Sequence, residues 1–424
     1  QRTPTTRTAS RAKYLHVLER SLARHFPDFN VEGVRNAMDL EHSFGPAYAR
    51  GSLVRGSKAW AVIGVGEGEA QPTIDGVLTL GLLWLSHCRE NEAVRRHYEG
   101  LKVIVPSGTG AVTRVRMAWL NPALAHWELY EMDERDEELV ALDLGDHGNV
   151  DVHLVHAFNP KTTLARSRAS IDKVLGLVPE ADRNRVEVRP RSAVETAFLL
   201  HGLEFARVVN AVAKDSFVRT DEITFGAGAN ETPLTEENEA LFTELVGRLF
   251  EERKAGGNRQ NPLYRLQPER WLESALRQEL LDIEPGIQAD FVYTQVPAFA
   301  AGDRGMLDLL SVDRAGRLVV LELKADEDLH LPLQGLDYWL RVRKLQREGL
   351  AVFSKHGYFR GVPLADVPPL LHFVAPALRI HPSNQEVLRY FSPEVEWTLI
   401  ALDEHWRQRR RVVFRKRSSD GQVS

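Results

Sequence analysis

Residues 305–324 set two apolar runs around a turn, and no other stretch limits the possible folds as tightly. The run Gly305-Met306-Leu307-Asp308-Leu309-Leu310-Ser311-Val312 leads through Asp313-Arg314-Ala315-Gly316 into Leu318-Val319-Val320-Leu321-Glu322-Leu323-Lys324. β-prone runs on either side of an Asp/Gly turn read as a hairpin. Their apolar residues are consecutive rather than alternate, which is the pattern of strands covered on both faces and calls for a layered α/β fold. Side chains alternate along a strand, so Glu322 and Lys324 share a face and hairpin pairing brings Asp308 beside them. Two carboxylates and an amine then meet at the end of a buried strand, a costly group unless a metal or hydrogen bonds satisfy it.

The flanking text adds partners. Pro268 opens a helix with Trp271, Leu272, Ala275 and Leu276 on one side and Glu273 at its edge; Glu279 falls nearer the centre of that stripe on a regular wheel. Residues 291–296 read as a strand, and 333–345 as a helix that places Gln334, Tyr338 and Arg341 on one face. The chemistry suited to this set is metal-assisted hydrolysis of a phosphodiester, because Mg²⁺ or Mn²⁺ prefers carboxylate and carbonyl oxygens and keeps several waters. Asp308, Glu322 and the carbonyl of Leu323 are the candidate metal ligands, with Glu273 as a further one. Lys324 is placed to orient an attacking water and offset phosphoryl charge, and Gln334 to hold a water or phosphate. A Glu-x-Lys pair on a strand is ordinarily a solvated surface pair; the buried run before it and the Asp opposite set this one apart.

Together, Asp308, the Glu322-Leu323-Lys324 triplet, Glu273, Gln334 and Tyr338 resemble the PD-(D/E)XK nuclease superfamily, closest in pattern to its RecB-like and NucS-like branches. The resemblance runs from Leu263 to Leu345. It implies a C-terminal restriction-endonuclease-like mixed sheet flanked by helices and a metal-dependent deoxyribonuclease acting in repair or defence. It also implies that Asp308 and the triplet bind metal and drive cleavage while Gln334 and Tyr338 organise the site. The motif's proline is absent before Asp308, where Met306 and Leu307 stand. DNA structure (single-stranded, branched or duplex) and the choice of endo- or exonuclease stay open, as does RNA, since the 2′-hydroxyl is read by side chains the sequence does not place. The competing reading is a nucleic-acid-binding or scaffolding protein whose nuclease fold no longer cuts.

A chain of 424 residues predicts two or three domains. The text divides into an N-terminal α/β domain over 1–158, a linker and helical connector over 159–260, and the nuclease-like domain over 261–424. Strands are expected at 60–65, 101–105 and 126–130, helices at 78–88 and 113–120, and connector helices at 193–213 and 236–253 with Thr235 as cap. The basic, Thr-rich first thirteen residues read as a loose tail. The two ends echo each other. An offset of 270 sets 372–376 on 102–106 and Trp397 on Trp127, and an offset of 258 puts Gly64, Gly66 and Arg50 at the places of Glu322, Lys324 and Asp308. The N-terminal domain therefore reads as a degenerate, inactive copy of the C-terminal one, paired within one chain or between two chains of a homodimer.

Net charge is −5, so any nucleic-acid surface must be local; Arg341, Arg343 and Lys344 adjoin the site and are the candidate phosphate contacts. The loop Gly64-Val65-Gly66-Glu67-Gly68-Glu69 carries acids that would repel a dinucleotide phosphate. Asp151, His153 and His156 lack a further ligand pair for zinc and read as a surface strand. The single cysteine, Cys88, reads as a buried small hydrophobe, and with no long apolar run the expected setting is a reducing cytoplasm away from membranes.

Overall fold

The computed structural model describes residues 4–39, 43–90, 96–146, 152–212, 219–227, 231–300 and 306–421. Helix α1 (Pro4–His25) precedes a six-stranded sheet of β1 (Asn30–Arg35), β2 (Tyr48–Arg55), β3 (Lys58–Val65), β4 (His97–Pro106), β5 (His126–Asp133) and β6 (Glu138–Leu142), which lie in that spatial order. Pairing is antiparallel from β1 to β3, parallel from β3 to β5 and antiparallel at β6. The chain crosses from β3 to β4 through α2 (Gln71–Asp75) and α3 (Val77–Glu90), and from β4 to β5 through α4 (Ala111–Met117). The expected N-terminal tail is instead α1. Tyr14, Val17, Leu18 and Leu22 recur at helical spacing and pack on Leu53 and Val62, while the helix's polar opening hides that stripe from a reading of the first thirteen residues.

Strand β7 (Val152–Leu154) leaves this domain and joins the C-terminal sheet. The strand expected here forms as the edge strand of that sheet, with His153 exposed, Val152 and Leu154 buried, and pairing to residues 298–300. Asp151 lies outside the described residues.

The connector holds α5 (Pro160–Arg166), α6 (Arg168–Gly176), an antiparallel sheet of β8 (Glu187–Pro190), β9 (Glu195–Leu200), β10 (Leu203–Val212), β11 (Arg219–Phe225) and β12 (Thr232–Pro233), and α7 (Glu239–Glu252). The helix expected over 193–213 is thus the β9–β10 hairpin. His201 and Gly202 turn it at φ +47° and +75°, and the apolar run spans both strands rather than one helical face. Helix α7 forms as expected behind a Thr235/Asn238 capping box, with Phe242, Val246, Leu249 and Phe250 buried.

The C-terminal part comprises α8 (Pro262–Arg265), α9 (Pro268–Ile283), β13 (Tyr293–Ala300), β14 (Met306–Val312), β15 (Leu318–Leu323), α10 (Leu331–Glu348), α11 (Ala351–Lys355), β16 (Leu370–Pro376), α12 (Ser383–Arg389), β17 (Trp397–Leu402) and β18 (Val412–Arg417). Its sheet runs β18-β17-β16-β15-β14-β13-β7. Strands β13 to β18 repeat the order and directions of β1 to β6: two antiparallel steps, two parallel steps, one antiparallel step. α10 crosses from β15 to β16 as α3 crosses from β3 to β4, and α12 matches α4.

Helices α3, α4, α10 and α12 lie between the two mixed sheets in one continuous core that includes Leu82, Trp119, Trp339, Phe373 and Leu388. Helix α1 covers the outer face of the N-terminal sheet and α9 that of the C-terminal sheet. Trp119 and Trp339 meet edge to face across this layer at 4.8 Å. Connector and C-terminal part are fastened by Arg253, which is fully buried and donates to the carbonyls of Leu200, His201, Leu263 and Leu266. Among the described residues no helix is long and apolar enough to cross a membrane.

Candidate active site

Leu309 pairs with Leu321 in the β14–β15 hairpin, so one step further along the register Asp308 stands opposite Glu322. On its other side Asp308 stands opposite Gln295, between the Thr294–Leu309 and Val296–Leu307 pairs of β13 and β14. Leu318 and Val320 pack toward α10 while Val319, Leu321 and Leu323 pack toward α9, so Glu322 faces α10. Glu322 is 3% exposed, and its Oε2 has no hydrogen-bond partner among the described residues. Burial and the Asp308 carboxylate push its pKa well above the usual carboxyl range, against the pull of Lys324. Asp308 accepts a hydrogen bond from the Leu323 N–H at 3.1 Å, yet burial, joined by the Glu273 charge, raises its pKa as well. Lys324 is 3.2 Å from Asp328; burial works to lower its pKa, but the carboxylates of Glu322 and Asp328 outweigh that and raise it.

Asp328, which the sequence reading passed over, organises this end of the site. It accepts from the His330 N–H (2.8 Å) and Gln334 Nε2 (3.2 Å) besides pairing with Lys324. Asp328 lies two residues before the N-cap, His330, and accepts from that residue's N–H in an Asx-type turn. Tyr338, one turn beyond Gln334, has its hydroxyl pKa raised by burial and by the nearby Glu322 and Asp308 carboxylates. Helix α10 therefore turns Gln334 and Tyr338 toward the strand end, as expected.

Glu273, not Glu279, faces the site. Glu279 breaks the helical dihedrals of α9 (φ −125°, ψ 24°) and turns away to pair with Arg410, so the regular wheel misplaces it. Glu273 is buried between Arg189 and Arg270 (both 2.8 Å) and accepts from Gln295 Nε2 at 3.0 Å, the amide that also reaches Asp308 at 3.4 Å. Gln295 holds this bridge at φ +51°, a strained conformation of the kind that collects at functional sites. Arg189 comes from β8 of the connector, where it stands in an arginine-rich stretch, and no local signal ties it or Gln295 to Glu273.

The proposed phosphate contacts separate. Arg341 is buried, donates to the Ala298 carbonyl at 3.3 Å and lies 5.7 Å from the Tyr338 ring; Arg343 and Lys344 are half-buried on the same helix. Cys88 is buried and its thiol pKa is pushed up to about 12 by desolvation, as befits a small core residue.

The N-terminal sheet offers the matching positions. Leu371 opposite Trp397 repeats Leu101 opposite Trp127, an offset of 270 (371 − 101). Glu322 lies beside Phe373 and Ile63 beside Val103, so Glu322 matches Ile63 (322 − 63 = 259) and Lys324 matches Val65. The offset of 258 and its Gly64 and Gly66 are one residue out, which places them on the opposite face, toward Tyr14 of α1. Arg50, opposite Ile63, keeps the place of Asp308. The crossing helices begin at Val77 and Leu331, an offset of 254 (331 − 77), which sets Leu80 and Trp84 at the places of Gln334 and Tyr338. No carboxylate stands at any of these five N-terminal positions.

The donor set of Asp308, Glu322 and the Leu323 carbonyl is all oxygen, and its buried, partnerless Oε2 suits a hard divalent cation. Among the described residues no group of three or more His, Cys, Asp or Glu is placed to hold a metal ion, and Glu273 is engaged by Arg189 and Arg270. No family model matches the chain, and no characterised protein is significantly similar to it.

Proposed function

We propose that this chain is a divalent-metal-dependent nuclease that hydrolyses phosphodiester bonds of DNA at Asp308, Glu322 and Lys324. One observation carries the reading: two desolvated carboxyls face each other at a strand end, one with an unpartnered oxygen, and a lysine projects from the same face. Asp308, Glu322 and the Leu323 carbonyl would hold Mg²⁺ or Mn²⁺, which when bound polarises the phosphoryl group and acidifies a water. Lys324, kept protonated by its carboxylate neighbours, places positive charge beside the phosphoryl oxygens and orients a water through its N–H groups. Asp328 fixes Lys324 and the Gln334 amide on one carboxylate, so both point to the same locus. Tyr338 keeps its proton and serves as a donor there. Membership of the PD-(D/E)XK superfamily, with its restriction-endonuclease-like sheet, belongs to the same proposal and is supported by the hairpin that leads into two parallel crossings.

The engagement of Glu273 by Arg189 and Arg270 favours a second reading, a nucleic-acid-binding protein that does not cut. Incubation of labelled single-stranded, duplex, mismatched and forked DNAs and one RNA with Mg²⁺ or Mn²⁺ against EDTA decides between them. Metal-dependent cleavage that falls by about 10²-fold or more in both Lys324→Ala and Asp308→Ala supports the nuclease. Binding without cleavage, together with no divalent-metal uptake by calorimetry, refutes it.

A further inference from the structure

We propose that the chain nicks duplex DNA, cutting one strand per encounter, because it is a two-domain dimer in a single polypeptide with one working site. This rests on the nuclease reading above and adds to it the substrate, a duplex, and the product, a single-strand break.

Three features of the fold lead there. The first is the repeat itself: β1 to β6 and β13 to β18 share order and directions, and their crossing helices share places. The second is how the halves meet. Leu120 bridges to Phe391 in antiparallel fashion, flanked by hydrogen bonds from the Asn121 N–H to the Tyr390 carbonyl and from the Ser392 N–H to the Trp119 carbonyl, each 2.8 Å. At the offset of 270, Leu120 matches Tyr390 and Asn121 matches Phe391, so corresponding segments of the two halves run side by side at this seam, one residue away from exact exchange. The helix contacts behave alike: α3 packs on α12, and α10 packs on its exchanged mate α4. Like segments meeting in opposite directions, with helix pairs that exchange, approximate a local twofold axis.

The third feature is where the two site positions lie. Helices α3 and α10 each begin after the strand that carries its site position, and their first turns touch: His330, which caps α10, lies 3.0 Å through Nδ1 from Thr79 Oγ1. Arg116 of α4 grips Asp337, next to Tyr338, at 2.7 and 2.9 Å. The active position and its N-terminal counterpart therefore both lie at the strand ends that lead into this helix contact, near the axis. Neither strand position of the counterpart carries an acid. Arg50 fills one, buried under the Phe44 and Trp84 rings at 4.5 and 5.8 Å, with Ile63 opposite.

The strands of a duplex are antiparallel and related by local twofold axes, so a twofold protein presents one position to each strand. Only one of these positions carries Asp308, Glu322 and Lys324. Water adds across one bridging P–O bond of the strand it meets: the water oxygen joins phosphorus, the bond to the leaving oxygen breaks, and that oxygen takes a proton. A phosphate monoester and a hydroxyl remain at the nick, and the second strand stays whole.

The test is a supercoiled plasmid incubated with the full chain and Mg²⁺ or Mn²⁺, with Lys324→Ala as control. Open-circular DNA is expected to accumulate first, and linear DNA only after a lag, as independent nicks come to lie opposite each other. An excess of Lys324→Ala chain should leave this product pattern unchanged. Linear DNA that appears from the start alongside open circles overturns the proposal, as does cleavage confined to single-stranded oligonucleotides with the plasmid untouched; both leave the nuclease reading standing. Absence of metal-dependent cleavage on every substrate defeats the nuclease reading itself.

Discussion

Replacing Glu322 by glutamine removes a buried charge while keeping its shape, and the metal-free protein is expected to become more stable at neutral pH. The residue is 3% exposed, its Oε2 lacks a partner, and Asp308 stands opposite. Burial and that neighbour raise its pKa in the native state. A carboxyl of this kind holds its proton more tightly folded than unfolded. Its stabilising contribution is therefore fully present below the unfolded pKa of about 4.3 and is lost as pH rises through the higher folded value. Glutamine never ionises and does not suffer that loss. The gain should match the cost of a buried polar group left unsatisfied, about 1–3 kcal/mol. In a domain of this size each kcal/mol moves the melting midpoint by about 2–4 °C. Unfolding followed by tryptophan fluorescence in EDTA, from about pH 4 to about pH 8, should show native and Glu322→Gln chains together at the acid end and diverging toward neutrality. Mg²⁺ should close the gap by stabilising the native chain, by about 2.7 kcal/mol at a hundredfold excess over its Kd, with little effect on the variant. A variant less stable throughout, or a gain independent of pH, refutes the electrostatic account of the site.

Arg253→Met should cost more than about 3 kcal/mol in urea unfolding, because it orphans the four carbonyls of Leu200, His201, Leu263 and Leu266. The guanidinium carries its charge there with a pKa lowered by burial and by Arg407, to about 9. Gly202→Ala should uncouple the β9–β10 hairpin from α9, since a Cβ would fall 1.9 Å from the Arg270 carbonyl oxygen at a φ of +75°; limited proteolysis of the connector should accelerate severalfold. Arg189→Ala breaks its pairs with Glu187 and Glu273, at a cost of about 3–5 kcal/mol for a buried pair, and a chemical denaturation series reads it directly.

What the sequence made legible was local. Asp308 and the Glu322–Lys324 triplet sit on a hairpin whose apolar runs, turn and alternation all agree, and Gln334 and Tyr338 follow from helical spacing alone. The connector misled because the run from Ala193 to Ala213 has no period to distinguish a helix from a hairpin, and the deciding facts are the positive φ angles at His201 and Gly202. Glu279 misled because a wheel assumes a straight helix and α9 is broken at that residue. The repeat was visible, but aligning β3 on β15 by eye slipped by one residue, and in a strand one residue exchanges the faces. Arg189 and Gln295 were beyond reach: their partner Glu273 lies 84 and 22 residues away, and only the packing of β8 and β13 on α9 brings the three together.

The two halves solve one electrostatic problem in opposite ways. A backbone of this topology presents a buried position on its second strand and another on its third, both covered by the crossing helix. In the N-terminal half the second strand supplies Arg50, whose cation is held by the π faces of Phe44 and Trp84 and by the Ala37 carbonyl, and the third supplies Ile63, which needs nothing. That arrangement also has a cost, since the Nε and Nη1 of Arg50 are buried without a hydrogen-bond partner among the described residues and burial lowers its pKa. In the C-terminal half the same two positions carry Asp308 and Glu322, which repel each other, lose hydration and leave an oxygen unpartnered. The two differ in what they offer: Asp308 and Glu322 present carboxylate oxygens that a cation can bind, Arg50 and Ile63 present none, and this contrast between two copies of one fold in a single chain supports the proposal that the chemistry lies at Asp308 and Glu322.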